Sequence, residues 1–125
     1  MVVSQKARTR WVPARQDVIW IDCNPQAGIE MRDMHPFLVL SPQTFNAKTS
    51  LVIGLPMTTA DYNADNPFAV PVVESKGKAS YVLCHQPKSF DWRVRNASPH
   101  PLGKIETRYF TEVRQVLEQI VQLTS

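Results

Sequence analysis

The stretch DVIWID, residues 17–22, decides the fold of this chain. It is a dense run of β-branched and aromatic residues, which predicts a β-strand. The run ends at Asn24-Pro25, which is a turn signal. A polar stretch of about ten residues, 26–35, comes next. Loops that long are uncommon and tend to be functional, so we expect a functional loop directly after the first strand.

Similar apolar runs predict four more strands downstream, at residues 36–41, 51–57, 68–73 and 80–84. A short helical turn is predicted at 42–49. Pro71 lies inside the fourth run, which indicates an edge strand or a bulge. Pro87 interrupts the pattern after the fifth run, and we interpret His100, between two prolines, as a plain loop residue.

The pattern changes from strand to helix near residue 107. Apolar residues then recur at i, i+3, i+7, i+10 and i+11, which predicts an amphipathic helix over 107–123. Thr107 is the expected N-cap. The apolar face expected to pack on the core consists of Phe110, Val113, Leu117, Ile120 and Val121. Five strands and this helix predict a small, curved, mostly antiparallel β-barrel closed by a C-terminal helix.

Composition limits the alternatives. A length of 125 residues fits one domain, and ten prolines with four glycines argue against an all-helical bundle. No apolar run approaches the ~20 residues that a membrane-spanning helix needs. The net charge of +3 is compatible with a polyanionic partner and equally with an ordinary basic soluble protein.

The two cysteines, Cys23 and Cys84, form no C-x-x-C pair, so we expect no structural zinc and two free thiols. Their pattern and the lack of an apolar signal sequence predict a cytoplasmic protein. Residues 1–12 carry three basic side chains without periodicity. They predict either a loose tail or a basic arm that touches phosphate, followed by a single domain over 13–125.

Five motifs occur in a characteristic order along the chain. They are DVIWID with NPQAG (17–28), HP with LVLSP (35–42), FN with KT (45–49), LPMTT with NPF (55–68), and QPKSFDWRVR (86–95). Together they resemble the MazF/PemK family of toxin–antitoxin endoribonucleases, over about residues 12–123.

The resemblance implies a mostly β fold with a C-terminal helix, a small SH3-like antiparallel barrel of the MazF/PemK/CcdB type. It also implies a homodimer that cuts single-stranded RNA at short sequences without a metal or cofactor. In that chemistry the ribose 2′-OH attacks the adjacent phosphate. The implied partner is an antitoxin whose acidic C-terminal segment occupies the RNA groove. We therefore expect a toxin that inhibits translation and growth.

The resemblance also assigns catalytic residues. Thr58 matches the family's catalytic threonine, whereas His35 stands where relatives usually carry a catalytic arginine. A guanidinium is always charged, but an imidazole exchanges protons near neutral pH. Arg32 is the expected source of the missing cation. His85 replaces a usually acidic residue, and we hypothesise that it shares proton transfer with His35. Alternatively, the two histidines merely occupy strand ends.

Further residues are expected to contact RNA. Glu30 matches a family glutamate associated with substrate handling, and Thr59 is a weaker second to Thr58. The basic and aromatic segment contributes the rest of this set, Gln86, Lys88, Ser89, Trp92, Arg93 and Arg95. Its cations neutralise phosphates and its tryptophan stacks on a base. An extended backbone would turn Arg93 and Arg95 to one edge. Alternatively, Trp92 is a core or dimer residue.

Two other functions remain open from the sequence. The first is a catalytically impaired family member, or a gyrase-poison-like toxin, that acts by binding and represses its own operon with the antitoxin. The replacement of arginine by His35 favours it. The second is a generic small-barrel RNA-binding module without a toxin role.

Overall fold

Seven strands and two α-helices form within residues 11–23 and 34–124, the part of the chain that the computed structural model describes. The strands are β1 (Asp17–Asp22), β2 (Met34–Val39), β3 (Leu51–Thr58), β4 (Ala69–Val73), β5 (Ala79–Leu83), β6 (Lys88–Asp91) and β7 (Ser98–Lys104). The helices are α1 (Gln43–Thr49) and α2 (Thr107–Val121), and a 3-10 helix spans Asp61–Asp65.

The strands form one bent antiparallel sheet in the order β4-β5-β3-β2-β1-β7, with β6 paired to β3 outside this path. Strand β3 joins the two parts of the sheet. Its first half pairs with β6, and its last residues, Met57 and Thr58, pair with β5. The result is a mostly β half-barrel with a C-terminal helix, which confirms the predicted fold class.

The centre of β3 is tightly packed. A Cβ on Gly54 would lie 2.6 Å from Cε2 of Phe37 and would collide with the backbone oxygen of Leu38. Any side chain there would separate β2 from β3, because a real Cβ does not approach other atoms so closely. The glycine therefore allows the two strands to pair at this point.

Buried side chains form two clusters, one on each face of β1 and β2. Val18 and Leu38 belong to the cluster under α2, whereas Ile19, Ile21 and Phe37 belong to the cluster that contains Trp92. Burial on both faces explains why the sequence of β1 is a continuous apolar run rather than an alternating one.

Helix α2 confirms the predicted periodicity but differs at both ends. Its N-cap is Glu106 rather than Thr107. Phe110 and Val113 are buried in the core, as predicted. Ile120 and Val121, at the C-terminal end of the helix, are instead 37% and 42% exposed. The prediction that the whole face packs on the core is wrong for its last turn.

The sequence does not predict two of the strands, β6 and β7, and His100, expected in a loop, lies in β7. Strand β6 is only four residues long, and its first two residues are polar and exposed, so it lacks an apolar signal. Strand β7 contains Pro99 and Pro101, yet it lies at an edge of the sheet, where a missing N–H costs little. Strand β4, which contains Pro71, is the opposite edge, as predicted.

Several smaller features complete the fold. Trp11 and Val12, assigned to the N-terminal arm by sequence, pack against the cluster of Trp92. Both cysteines are free thiols, and burial raises the pKa of Cys84 to about 11. None of the described helices is long and apolar enough to cross a membrane.

Candidate active site

A pocket of about 420 Å³ opens where the two parts of the bent sheet diverge. It combines imidazole, hydroxyl, ammonium and carboxylate groups with aromatic and apolar walls. Its lining residues are Trp20, His35, Pro36, Met57, Thr58, Thr59, Glu74, Lys78, Ser80 and His100.

His35 and Thr58, both predicted to be catalytic, line this pocket together. Strand pairing accounts for their proximity. Phe37 pairs with Pro56 across β2 and β3, and continuing this register sets His35 level with Thr58. The Ala60 N–H donates to Thr58 Oγ1 at 3.2 Å. The Thr58 hydroxyl can thus accept this bond and still donate its own proton to a ligand. Thr59 lies beside it in the same lining.

The turn between β4 and β5 supplies the charged groups of the pocket. Glu74 and Lys78 close this turn, since the Glu74 N–H donates to the Lys78 carbonyl at 2.8 Å. Gly77 allows the tight geometry with a φ of +81°. The hydroxyl of Ser80 donates to Glu74 Oε2 at 3.4 Å. The sequence does not predict a role for these residues, because no motif or spacing relates this turn to β2.

His100 lines the same pocket from β7. The sequence analysis expected it to be a plain loop residue, and this prediction is wrong. It lies in a strand, half-buried, rather than in a loop. Its ring packs against Trp20 with centroids 4.4 Å apart and the ring planes tilted by 43°. The Leu102 N–H donates to His100 Nδ1 at 3.0 Å. Burial lowers the pKa of His100, and the charge of Glu74 opposes this shift with a smaller effect.

His85 does not line the pocket of His35. It is exposed just after β5, its ring centroid 5.6 Å from that of Phe68. Its Nε2 lies 3.3 Å from Nε2 of Gln86. Within the described chain, the histidine that joins His35 is therefore His100 and not His85.

The basic and aromatic segment has two kinds of residue. Lys88 and Ser89 are exposed on β6 and are available to a ligand. Trp92 is only 5% exposed, its Nε1 donates to the Asn46 carbonyl at 2.8 Å, and its ring packs edge-on against Trp11. Trp92 thus lies in the core, as the alternative interpretation proposed.

Arg93 and Arg95 do not line one edge, because the backbone forms a turn after Asp91 rather than an extended strand. The N–H groups of Arg93 and Val94 donate to Asp91 Oδ1 at 3.1 and 3.0 Å. These bonds, that of Val94 foremost, lower the pKa of Asp91. The Arg93 guanidinium covers Trp92, whereas that of Arg95 covers Phe90.

Two predicted site residues, Glu30 and Arg32, lie outside the described residues. Within residues 11–23 and 34–124, no three His, Cys, Asp or Glu side chains converge as metal ligands would.

The half-barrel with its polar pocket defines a small, mostly β protein, and comparison with known proteins identifies its family. Residues 14–121 match the family of PemK-like, MazF-like toxins of type II toxin–antitoxin systems. The chain belongs to this family.

Individual relatives extend the comparison. Over 90 residues the chain is 37% identical to the endoribonuclease toxin MazF of Escherichia coli K12, covering 72% of this chain and 78% of that one. The crystal structure of MazF from Deinococcus radiodurans superposes with a TM-score of 0.76 at 32% identity, covering 90% of this chain and 99% of that one. A MazE–MazF complex from the same organism gives 0.76 at 30% identity, with coverages of 91% and 100%.

Proposed function

We propose that this chain is a toxin that cleaves single-stranded RNA at short sequences, with His35 and Thr58 in catalytic roles. One observation carries the proposal: strand pairing brings His35 and Thr58, distant in sequence, into one polar pocket. Relatives named as endoribonucleases support the reaction class. Cleavage of messenger RNA in the cytoplasm would inhibit translation and growth.

The pocket offers the groups that an internal transesterification needs. The 2′-oxygen bonds to phosphorus while its proton passes to the neutral imidazole of His35. The bond from phosphorus to O5′ then breaks, and O5′ takes a proton from the imidazolium. The Thr58 hydroxyl donates to a phosphate oxygen, where negative charge increases in the transition state. The products are a 2′,3′-cyclic phosphate and a 5′-hydroxyl.

Binding is assigned to groups around the pocket. Lys78 at its wall, and Lys88 on β6, are exposed cations that can neutralise phosphates. Gln86 and His85 form an exposed polar surface beside Phe68, to which we assign contact with RNA rather than proton transfer. An unpaired strand fits such a surface, because its bases and backbone are both accessible.

The proposed protein partner is a cognate antitoxin with an acidic C-terminal segment. A MazE–MazF complex is known for a relative of 30% identity. Acidic side chains would compete with phosphates for the same cations, which explains how one segment would block RNA. Repression of the operon by the toxin–antitoxin complex belongs to the same proposal.

We also propose a homodimer. Ile120 and Val121 are partly exposed and Leu123 is 83% exposed at the end of α2, an apolar surface that a second copy would cover. Sedimentation velocity should give a dimer mass for the wild type and a monomer mass for Ile120→Asp. A monomeric wild type contradicts this part of the proposal.

The central test uses the purified chain, a long single-stranded RNA and a DNA of the same sequence, in excess EDTA. RNA should be cut at a recurring short sequence, leaving 5′-hydroxyl and 2′,3′-cyclic phosphate ends. DNA should remain intact because it lacks the attacking hydroxyl. Intact RNA at high protein concentration would overturn the nuclease function and favour a toxin that acts by binding.

His35 is tested by His35→Ala, which should lower kcat by about 10²–10⁴-fold because proton transfer is lost. The matched control is Gln115→Ala on the exposed face of α2, which should cleave at the wild-type rate. A rate within tenfold of wild type for His35→Ala would exclude the catalytic role of this residue.

A further inference from the structure

We propose that His100 is a further catalytic residue of the RNA-cleaving site, donating a hydrogen bond from Nε2 to an oxygen of the scissile phosphate. The inference rests on the proposed function and adds a group to the same pocket. His100 reaches it from β7, whereas His35 and Thr58 reach it from β2 and β3. A phosphate in the pocket would therefore meet donors from more than one side.

The ring of His100 is held on two sides. Trp20 packs against it at a centroid distance of 4.4 Å. The Leu102 N–H donates to its Nδ1 at 3.0 Å, within the same strand. These contacts fix both the position of the ring and its rotation. A donor that is already oriented loses little freedom when the transition state forms.

The bond from Leu102 also fixes the tautomer. Nδ1 accepts a proton donor, so the proton of the neutral ring lies on Nε2. Burial lowers the pKa of His100, which favours this neutral form near neutral pH, although Glu74 acts in the opposite direction. The ring thus presents a stable N–H donor at its far end, away from the backbone.

No described residue accepts a hydrogen bond from His100 Nε2. The His100 side chain is half-buried and lines the cavity, so its Nε2–H binds either water or a ligand there. Among groups of an RNA backbone, the non-bridging phosphate oxygens are the strongest acceptors, and their charge increases as the 2′-oxygen bonds to phosphorus. His100 keeps its proton throughout, so the proton balance between His35, the 2′-oxygen and O5′ is unchanged.

A pair of substitutions separates this role from a structural one. His100→Asn can still accept from Leu102 with its side-chain oxygen but loses the donor at the Nε2 position. His100→Gln extends an amide N–H close to that position but loses the Leu102 contact. A phosphate donor predicts that His100→Asn lowers kcat/KM by about 10²-fold while His100→Gln stays within about tenfold of wild type.

The reverse order, with His100→Asn active and His100→Gln impaired, would overturn the inference and leave His100 as an anchor for β7. Equal activity of both variants and the wild type would overturn it too. Failure of the wild type to cut RNA would overturn the proposed function itself. An active wild type with inactive His35→Ala and unaffected His100→Asn rejects only the role of His100.

A measurement on the wild-type chain tests the role of His100 even if the two variants do not fold. Side-chain ¹⁵N NMR should show the Nε2–H tautomer of His100. Adding a single-stranded 2′-O-methyl RNA, which binds without being cut, should shift the His100 Nε2 signal. An unchanged Nε2 signal at saturating oligonucleotide contradicts the contact.

Discussion

Two tryptophans of this chain, Trp92 and Trp20, each lie beside a polar residue, yet their surroundings differ. Trp92 is buried, and its N–H donates to the backbone of Asn46. Trp20 is half-buried and packs on His100 at a pocket. The N–H of Trp92 has its acceptor within the fold. The Nε2–H of His100, beside Trp20, has no acceptor among the described residues. An aromatic and polar pair therefore indicates function only where the fold leaves a polar atom of the pair available to a ligand.

The polar network around Trp92 is continuous. Asn46 is fully buried, its side-chain amide donates to the carbonyls of Pro13 and Ser41, and the Ser41 hydroxyl donates to its Oδ1 at 2.6 Å. Among the described residues, no buried side-chain nitrogen or oxygen lacks a partner. This region supports the sheet from one side, and the pocket lies elsewhere on the same sheet.

The largest expected effect is on the supporting side. Trp92→Ala should lower the free energy of unfolding by about 3–5 kcal/mol, because it leaves a cavity between Trp11 and β1. Trp92→Phe retains most of the ring and should lose about 0.5–1.5 kcal/mol, since the Asn46 carbonyl loses the Trp92 N–H but keeps the Ser50 N–H as a donor. Urea unfolding followed by circular dichroism measures both. Wild-type stability of Trp92→Ala would contradict the supporting role.

The next effect is on the pocket side and concerns rate instead of stability. Thr58→Val has nearly the same shape but lacks the hydroxyl, so kcat should fall by about 10²–10³-fold. Thr58→Ser retains the hydroxyl and should stay within about tenfold of wild type. Cleavage of a fluorescent RNA reports both rates. If valine and serine gave equal rates, a hydroxyl contact with the phosphate would be excluded.

A smaller loss is expected at Asn46. Asn46→Ala removes the acceptor of the Ser41 hydroxyl and the donor to two backbone carbonyls. Leaving such groups buried without partners should cost about 1–3 kcal/mol of stability. Lys48→Ala, on the exposed face of the same helix, is the matched control and should change the urea midpoint little. Equal midpoints for the two variants would argue against the network.

The smallest effect is a pH dependence of stability. Burial holds the pKa of His100 below its ordinary value of 6.5. As the pH falls below that value, the unfolded chain binds a proton that the folded chain binds only at lower pH, so stability decreases. The groups that share the pocket, Glu74, Lys78 and His35, remain in His100→Asn. The urea midpoint of this variant should therefore decline less between pH 7 and pH 5 than that of the wild type. Parallel curves would contradict the burial effect.

The sequence predicted β1 to β5 and α2 because each has an apolar pattern that its own neighbours define. It did not predict β6 and β7, which are short, polar or rich in proline and exist through pairing with β3 and β1. The family resemblance predicted that His35 and Thr58 belong to one site, and both line the same pocket. The sequence left two roles open for Trp92, because the Asn46 carbonyl that it binds is 46 residues away. The place of His100 in the pocket could not be predicted, because Trp20 reaches it only through strand pairing.

Pro99 and Pro101 flank His100 on an edge strand. Neither proline has a backbone N–H, so a strand of another molecule would find few hydrogen-bond donors along β7. Edge-to-edge pairing of neighbouring molecules is therefore disfavoured. Their closed rings also restrict φ on both sides of the imidazole. Among the described strands, the outer side of β7 has no neighbour, and these two residues make it a poor template for one.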